Sequence, residues 1–149
     1  MTYWDTSALF KLYVPEGDSS YFLNLATESG EALATSSITA VEILCGAHRK
    51  ECAGMIRKGA ANAALERFLS DCREGRLMAV PYGEDVIAAA KEVARLAFRG
   101  LLPVTVRALD AIHVASAMAV RADVMVATDL RLRAVADLVK LKLLPLRQP

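Results

Sequence analysis

The expected fold is a three-layer α/β/α sandwich around a parallel sheet of about five strands. Three observations carry that expectation. Short apolar runs alternate with helical patterns along the whole length. Acids stand directly after two of those runs, Asp5 after the first and Asp129 after the fourth. No linker, low-complexity stretch or internal repeat interrupts the 149 residues, so residues 1–149 read as one domain.

The elements follow in order. Thr2-Tyr3-Trp4 predicts a first strand. Ser7 to Val14 predicts a helix with Leu9, Phe10, Tyr13 and Val14 on one face, stopped by Pro15. Asp18 is placed as the N-cap of a second helix ending near Gly30, and Ala32 to Thr35 as a second strand. A helix then begins at Thr39, where Thr39-x-x-Glu42 has the spacing of a capping box. Lys50 to Gly59 lose periodicity and predict a loop or hairpin tip. Ala60 to Arg73 reads as a helix with Leu65, Phe68 and Leu69 inward, and Leu77 to Val80 as a third strand. Glu84 to Arg99 is a strongly amphipathic helix, with Val86, Ile87, Ala90, Val93, Ala94 and Ala97 on one side. Gly100 to Pro103 predicts a turn, and Val106 to Val120 a helix holding Asp110 and His113 in its interior. Val124 to Ala127 is a fourth strand. A short helix follows through Leu132, Val135 and Ala136, and Leu141 to Leu144 forms the last strand.

Composition excludes several classes. A chain that is 54% hydrophobic and 23% charged is not a disordered tail. Its longest charge-free stretches, such as Ala32 to Val41, are about ten residues, and a bilayer span needs about twenty. Asp5 precedes any hydrophobic run, so no signal peptide is expected and the expected compartment is the cytoplasm. Cys45, Cys52 and Cys72 contain no C-x-x-C pair, and with only His48 and His113 beside them they predict reduced thiols rather than a zinc site. A mean hydropathy of +0.31 leaves apolar surface beyond one core, which predicts a homodimer. The net charge of +1 is unevenly spread. Leu12 to His48 holds Glu16, Asp18, Glu28, Glu31 and Glu42 with no Lys or Arg, whereas Arg49 to Lys58 and the chain from Arg121 onward are basic.

Four acids ask for an explanation. In an open parallel sheet ligands bind beyond the carboxyl ends of the strands, where Asp5 and Asp129 fall. Each also has a plain reading as the N-cap of the next helix. Asp110 lies among apolar and small neighbours, where a carboxylate is costly unless paired or bound to metal. Arg107, three residues earlier, is its plain partner or else faces water. Glu42 is either a capping-box member or a site acid. Together, with no Lys or Arg in the acidic segment, the four read as an oxygen-only cluster suited to Mg²⁺ or Mn²⁺. An ion held there suits phosphodiester hydrolysis, because it acidifies water and neutralises charge on phosphate.

Four segments carry a resemblance. Trp4-Asp-Thr-Ser-Ala-Leu9, Thr39-Ala-Val-Glu-Ile43, Leu109-Asp-Ala-Ile-His-Val-Ala-Ser-Ala117 and Ala127-Thr-Asp-Leu-Arg-Leu132 occur in the order and spacing of PIN-domain ribonucleases. In length and in the lack of an appended domain the chain is similar to the VapC toxins of type II toxin–antitoxin modules. The resemblance implies that Asp5, Glu42, Asp110 and Asp129 bind divalent metal and cut single-stranded RNA. It implies a small VapB-like antitoxin and pairing as a homodimer. Thr6 and Ser7 match positions that hydrogen-bond near the metal, although helix capping explains them equally. Thr128 adjoins the last acid instead of standing two positions earlier, and Trp4 replaces a smaller aliphatic residue. His113 matches a family position and reads as an interior hydrogen-bonding residue rather than a base.

Other functions fit less well. A haloacid-dehalogenase-type phosphatase wants a second Asp where this chain has Ser7, and a receiver domain wants a Lys-Pro that Lys142-Leu-Leu-Pro145 does not supply. A PIN nuclease of RNA processing, or a non-catalytic module of the same fold, remains as the alternative to a toxin. For an RNA substrate, an unpaired segment enters a recessed site where a duplex does not. Arg49, Lys50, Arg57, Lys58, Arg131 and Arg133 are the candidate backbone contacts. For an antitoxin, Leu9, Phe10, Leu12, Tyr13, Phe22, Leu25, Ile43 and Leu44 are the candidate apolar groove, beside the acidic segment that would attract a basic partner.

Overall fold

Apolar runs of three or four residues are too short to be core helices, and here they pair. The structure is a computed structural model describing residues 1–28, 30–99 and 103–146. The strands are β1 (Thr2–Trp4), β2 (Leu33–Ser36), β3 (Leu77–Val80), β4 (Val124–Val126) and β5 (Lys142–Leu144), joined as one sheet in the order β3-β2-β1-β4-β5. Every pairing is parallel, with Thr2 opposite both Leu33 and Val124. The α/β sandwich expected from the sequence is the fold observed.

The helices are α1 (Thr6–Tyr13), α2 (Ser19–Glu28), α3 (Thr39–Cys52), α4 (Ala60–Arg73), α5 (Glu84–Arg99), α6 (Ala108–Ala119) and α7 (Leu130–Leu138). Side chains alternate across a strand, and that alternation sorts the core into two layers. Tyr3, Ala34 and Met125 pack with Val86 and Val93 of α5, Val114 of α6 and Val135 of α7. Trp4, Leu77 and Val126 face the other way, against Leu9 and Phe10 of α1, Phe22 of α2, Ile43 of α3 and Phe68 of α4. Trp4 is fully buried and meets the Phe22 ring edge-on at 6.3 Å, so the larger residue at this position fills the α1–α4 layer. α1 and α3 approach closely because Gly46 lacks a side chain; a Cβ there would lie 3.0 Å from the Phe10 ring. That approach brings the starts of the two helices together, and with them Asp5 and Glu42.

The differences from expectation are local. α6 begins at Ala108, two residues late, because Pro103 to Arg107 are not helical. α3 runs on to Cys52, so the loop predicted from Lys50 is shorter, and Gly59 at φ 85° opens α4. The Asp18 carboxylate goes to Lys11 of α1. The turn predicted at Gly100, Leu101 and Leu102 lies outside the described residues. Among the described residues no helix is long and apolar enough to cross a membrane.

Candidate active site

The strand order reverses between β1 and β4, and both chains leave the sheet there at the same edge. The exit from β1 is Asp5, whose backbone N–H donates to Val126 O at 3.0 Å. Its carboxylate caps α1: Oδ2 accepts from the Ser7 N–H at 2.9 Å and from the Ser7 hydroxyl. Ser7 Oγ in turn accepts from the N–H groups of Thr128, at 2.9 Å, and Asp129, at 3.2 Å. One hydroxyl therefore ties the two strand exits together. Asp129 caps α7, with Oδ1 accepting from the N–H of Arg131 at 2.8 Å. Both acids are caps, and each keeps its second oxygen for another partner. Asp5 Oδ1 lies 3.6 Å from His113 Nε2, and Asp129 Oδ2 accepts from Arg107 Nη2 at 2.6 Å.

The two helix acids are placed differently from expectation. Because α6 starts late, Asp110 sits in its first turn rather than its interior, and its carboxylate accepts from the Arg107 N–H at 3.1 Å. The Arg107 guanidinium adds a fork, Nε to Oδ2 at 3.0 Å and Nη2 to Oδ1 at 2.9 Å. The capping box predicted for Thr39 and Glu42 does not form. Thr39 is itself the first helical residue, and its Oγ1 pairs with Thr35 Oγ1 at 2.8 Å. Glu42 Oε2 accepts instead from Thr6 Oγ1 at 2.6 Å and His113 Nε2 at 2.8 Å. The other ring nitrogen of His113, Nδ1, meets Tyr3 Oη at 2.8 Å. His113 is a buried hydrogen-bonding residue, as expected, but it orients a site acid and so belongs to the site.

All four acids border one cavity of about 810 Å³, which Arg107, His113, Lys11, Arg49 and Lys50 also line. Burial lifts the Asp5 carboxyl above its ordinary value, more than His113 and Ser7 lower it. Burial pushes Glu42 the same way, but the hydrogen bonds from His113 and Thr6 prevail and its pKa falls. Asp129 is also lowered, because its bonds from Arg107 and the Arg131 N–H outweigh burial. Burial opposes the charge on His113, yet Glu42 and Asp5 raise its pKa. The Arg107 pKa is raised by its bonds to Asp110 and Asp129.

The donor chemistry fits a hard divalent cation. All four acids offer carboxylate oxygen, Asp5 is 5% exposed and Asp110 4%, and burial raises the Asp5 pKa, a cost that a bound cation offsets. The arrangement differs from the cluster expected. Among the described residues no group of three or more His, Cys, Asp or Glu is gathered closely enough to hold a metal. Arg107 and His113 divide the acids into two pairs, so the expectation of acids without a neutralising base is corrected. Lys11 of α1 and Lys50 of α3 likewise reach in from either side of the acidic segment to pair with Glu16.

Two further expectations change. Arg133 donates to Ala127 O and Pro145 O at 2.8 Å each, joining the ends of β4 and β5, and is not open to a nucleic-acid backbone. Of the residues set down as a partner groove, Leu9, Phe10, Tyr13, Phe22 and Ile43 are core. The exposed large apolar side chains lining the cavity are Val41, Met55 and Leu109.

The PIN domain family model matches residues 2–138. No curated protein matches the chain. Among solved structures, VapBC2 from Rickettsia felis, bound to a DNA fragment from its promoter, is similar at 20% identity over 96% of this chain and 97% of that one, with a TM-score of 0.64. FitAcB from Neisseria gonorrhoeae is similar at 20% identity over 96% of both chains, with a TM-score of 0.65. FitAB bound to an IR36 DNA fragment gives 18% identity over 96% and 93%, with a TM-score of 0.64. At these identities the likeness is one of fold.

Proposed function

The chain belongs to the PIN domain family, and from that premise we propose that it is a divalent-cation-dependent endoribonuclease, the toxin of a toxin–antitoxin pair. The observation that carries the reading is the convergence of Asp5, Glu42, Asp110 and Asp129 on one cavity where the strand order reverses. Asp5 and Asp129 are anchored by the helices they cap, Glu42 by Thr6 and His113, and Asp110 by the Arg107 backbone. Mg²⁺ or Mn²⁺ bound by these acids supplies an acidified water and offsets charge on the phosphate. His113 holds Glu42 rather than taking a proton from substrate, because its Nε2 is engaged by that carboxylate and its Nδ1 by Tyr3.

The substrate in this reading is RNA with an unpaired segment, since a recessed acidic site excludes a duplex. Arg49, which lines the cavity, and the exposed Arg57, Lys58 and Arg131 are the backbone contacts. The partner is a small VapB-like antitoxin. Likeness in fold to VapBC2 and the sequence resemblance to VapC toxins support it. A homodimer and a cytoplasmic location belong to the same reading. The test is cleavage of a hairpin RNA in Mg²⁺ by the purified chain and by Asp5→Asn. Cleavage in the loop by the first alone supports the proposal, and equal cleavage by both refutes the site.

A further inference from the structure

We propose that Arg107 is an internal counter-cation that holds Asp110 and Asp129 until a divalent cation displaces it, so that one side chain sets the cation affinity of the site. The inference rests on the reading of these acids as cation ligands. Its basis is a three-way contact. A single guanidinium spans the first turn of α6 and the cap of α7, donating to both oxygens of Asp110 and to Oδ2 of Asp129. These oxygens are the ones a cation between the two acids would need, so guanidinium and metal compete for the same atoms.

Three features suit Arg107 to leave. Its side chain is 49% exposed although Asp110 beneath it is 6% exposed, so a displaced guanidinium passes directly into water. Neither acid is orphaned when it goes. Asp110 keeps the Arg107 N–H at 3.1 Å, and Asp129 keeps the Arg131 N–H at 2.8 Å. The backbone of Arg107 is extended, at φ −92° and ψ 157°, and it stands at the junction of a non-helical stretch with α6, so the side chain is outside the helix that fixes Asp110. Arg107 thus accounts for the pairing of Asp110 with Asp129, as His113 does for that of Asp5 with Glu42. With that guanidinium gone, the two aspartates would face one another without a cation, and like charges so placed recruit one.

The test is Mn²⁺ titration of the full chain by calorimetry, comparing wild type with Arg107→Gln and Arg107→Lys. Loss of the competing charge is expected to tighten Mn²⁺ binding roughly tenfold in Arg107→Gln, within the usual span of coupling between two ligands. Arg107→Lys, which keeps the charge, is expected to stay near wild type. If Arg107→Gln does not fold, Arg107→Ala stabilised by Mn²⁺ gives the same comparison through the rise in Tm with added ion, which is expected to exceed that of wild type. Addition of Asp110→Asn locates the ion: binding must weaken. Equal or weaker binding in Arg107→Gln, with Asp110→Asn still weakening it, overturns the counter-cation role and leaves the nuclease reading intact. Tighter binding in Arg107→Gln with no RNA cleavage by wild type upholds the counter-cation role and fails the nuclease reading instead. Binding indifferent to Asp110→Asn overturns both.

Discussion

Tyr3 and His113 stand 110 residues apart and share a hydrogen bond of 2.8 Å between Oη and Nδ1, with both side chains fully buried. The bond joins the central strand β1 to α6 and leaves Nε2 of the ring aimed at Glu42, 2.8 Å away. A chain of three residues thus runs from the sheet to a site acid. Tyr3→Phe removes one donor and leaves a buried ring nitrogen without its partner. The expected cost is about 1–3 kcal/mol, seen as a lower urea midpoint at unchanged slope. An unchanged midpoint contradicts the bond.

Ser7 is expected to matter to geometry. Its hydroxyl donates to Asp5 and accepts from two N–H groups beyond β4, so Ser7→Ala frees one strand exit from the other. RNA cleavage should fall while Ser7→Thr, which keeps the hydroxyl, restores part of it. The loss of stability should be about 1.5–3 kcal/mol, the range for bonds to a charged group. Equal activity in Ser7→Ala and wild type would show that Asp5 is held without it.

Glu42→Gln keeps the shape of the site and removes one charge. Cleavage in Mg²⁺ should fall by at least about tenfold, the lower bound seen when even a supporting group near a metal is lost. A rate within twofold of wild type removes Glu42 from the site.

Glu16, which borders the same cavity, provides a pH test. Burial raises its pKa, but hydrogen bonds from Lys11 and Lys50 lower it below the ordinary 4.5. A carboxyl depressed in the folded state stabilises above its unfolded pKa, and that stability is lost as pH falls through the folded value. Glu16→Gln should therefore cost about 0.5–1 kcal/mol at pH 7, discounted for the 24% exposure of the side chain, and the cost should shrink as pH falls below 4.5. A cost that does not shrink with falling pH assigns the effect to packing.

Much of the fold was legible. β1, β3, α4 and α5 have the expected bounds, because apolar alternation, helical periodicity and the breakers Pro81 and Gly83 all act locally. The start of α6 was not, since Val104 and Val106 continue the apolar spacing of the helix that follows. Pro103 and the β-branched Val104, Thr105 and Val106 favour extended backbone, and they prevailed. Residue types identified four of the five acids that border the cavity; the fifth, Glu16, pairs with Lys11 and Lys50. What they could not reveal was the partner of each acid. Thr39 and Glu42 have capping-box spacing, yet Glu42 turned to His113, 71 residues away, a contact that only packing creates. Arg107 was visible as a neighbour of Asp110 at three residues, but its bridge to Asp129 depends on how α6 lies against α7.

The central claim is that the four carboxylates form one cation site. Its most direct measurement is the anomalous diffraction of crystals of the full chain grown with Mn²⁺. The account predicts a peak within coordination distance of oxygens from Asp5 and at least one of Glu42, Asp110 and Asp129, with Arg107 Nη2 withdrawn from its 2.6 Å contact to Asp129. A peak bound elsewhere, or none at millimolar Mn²⁺ with the Arg107 contacts intact, would contradict it.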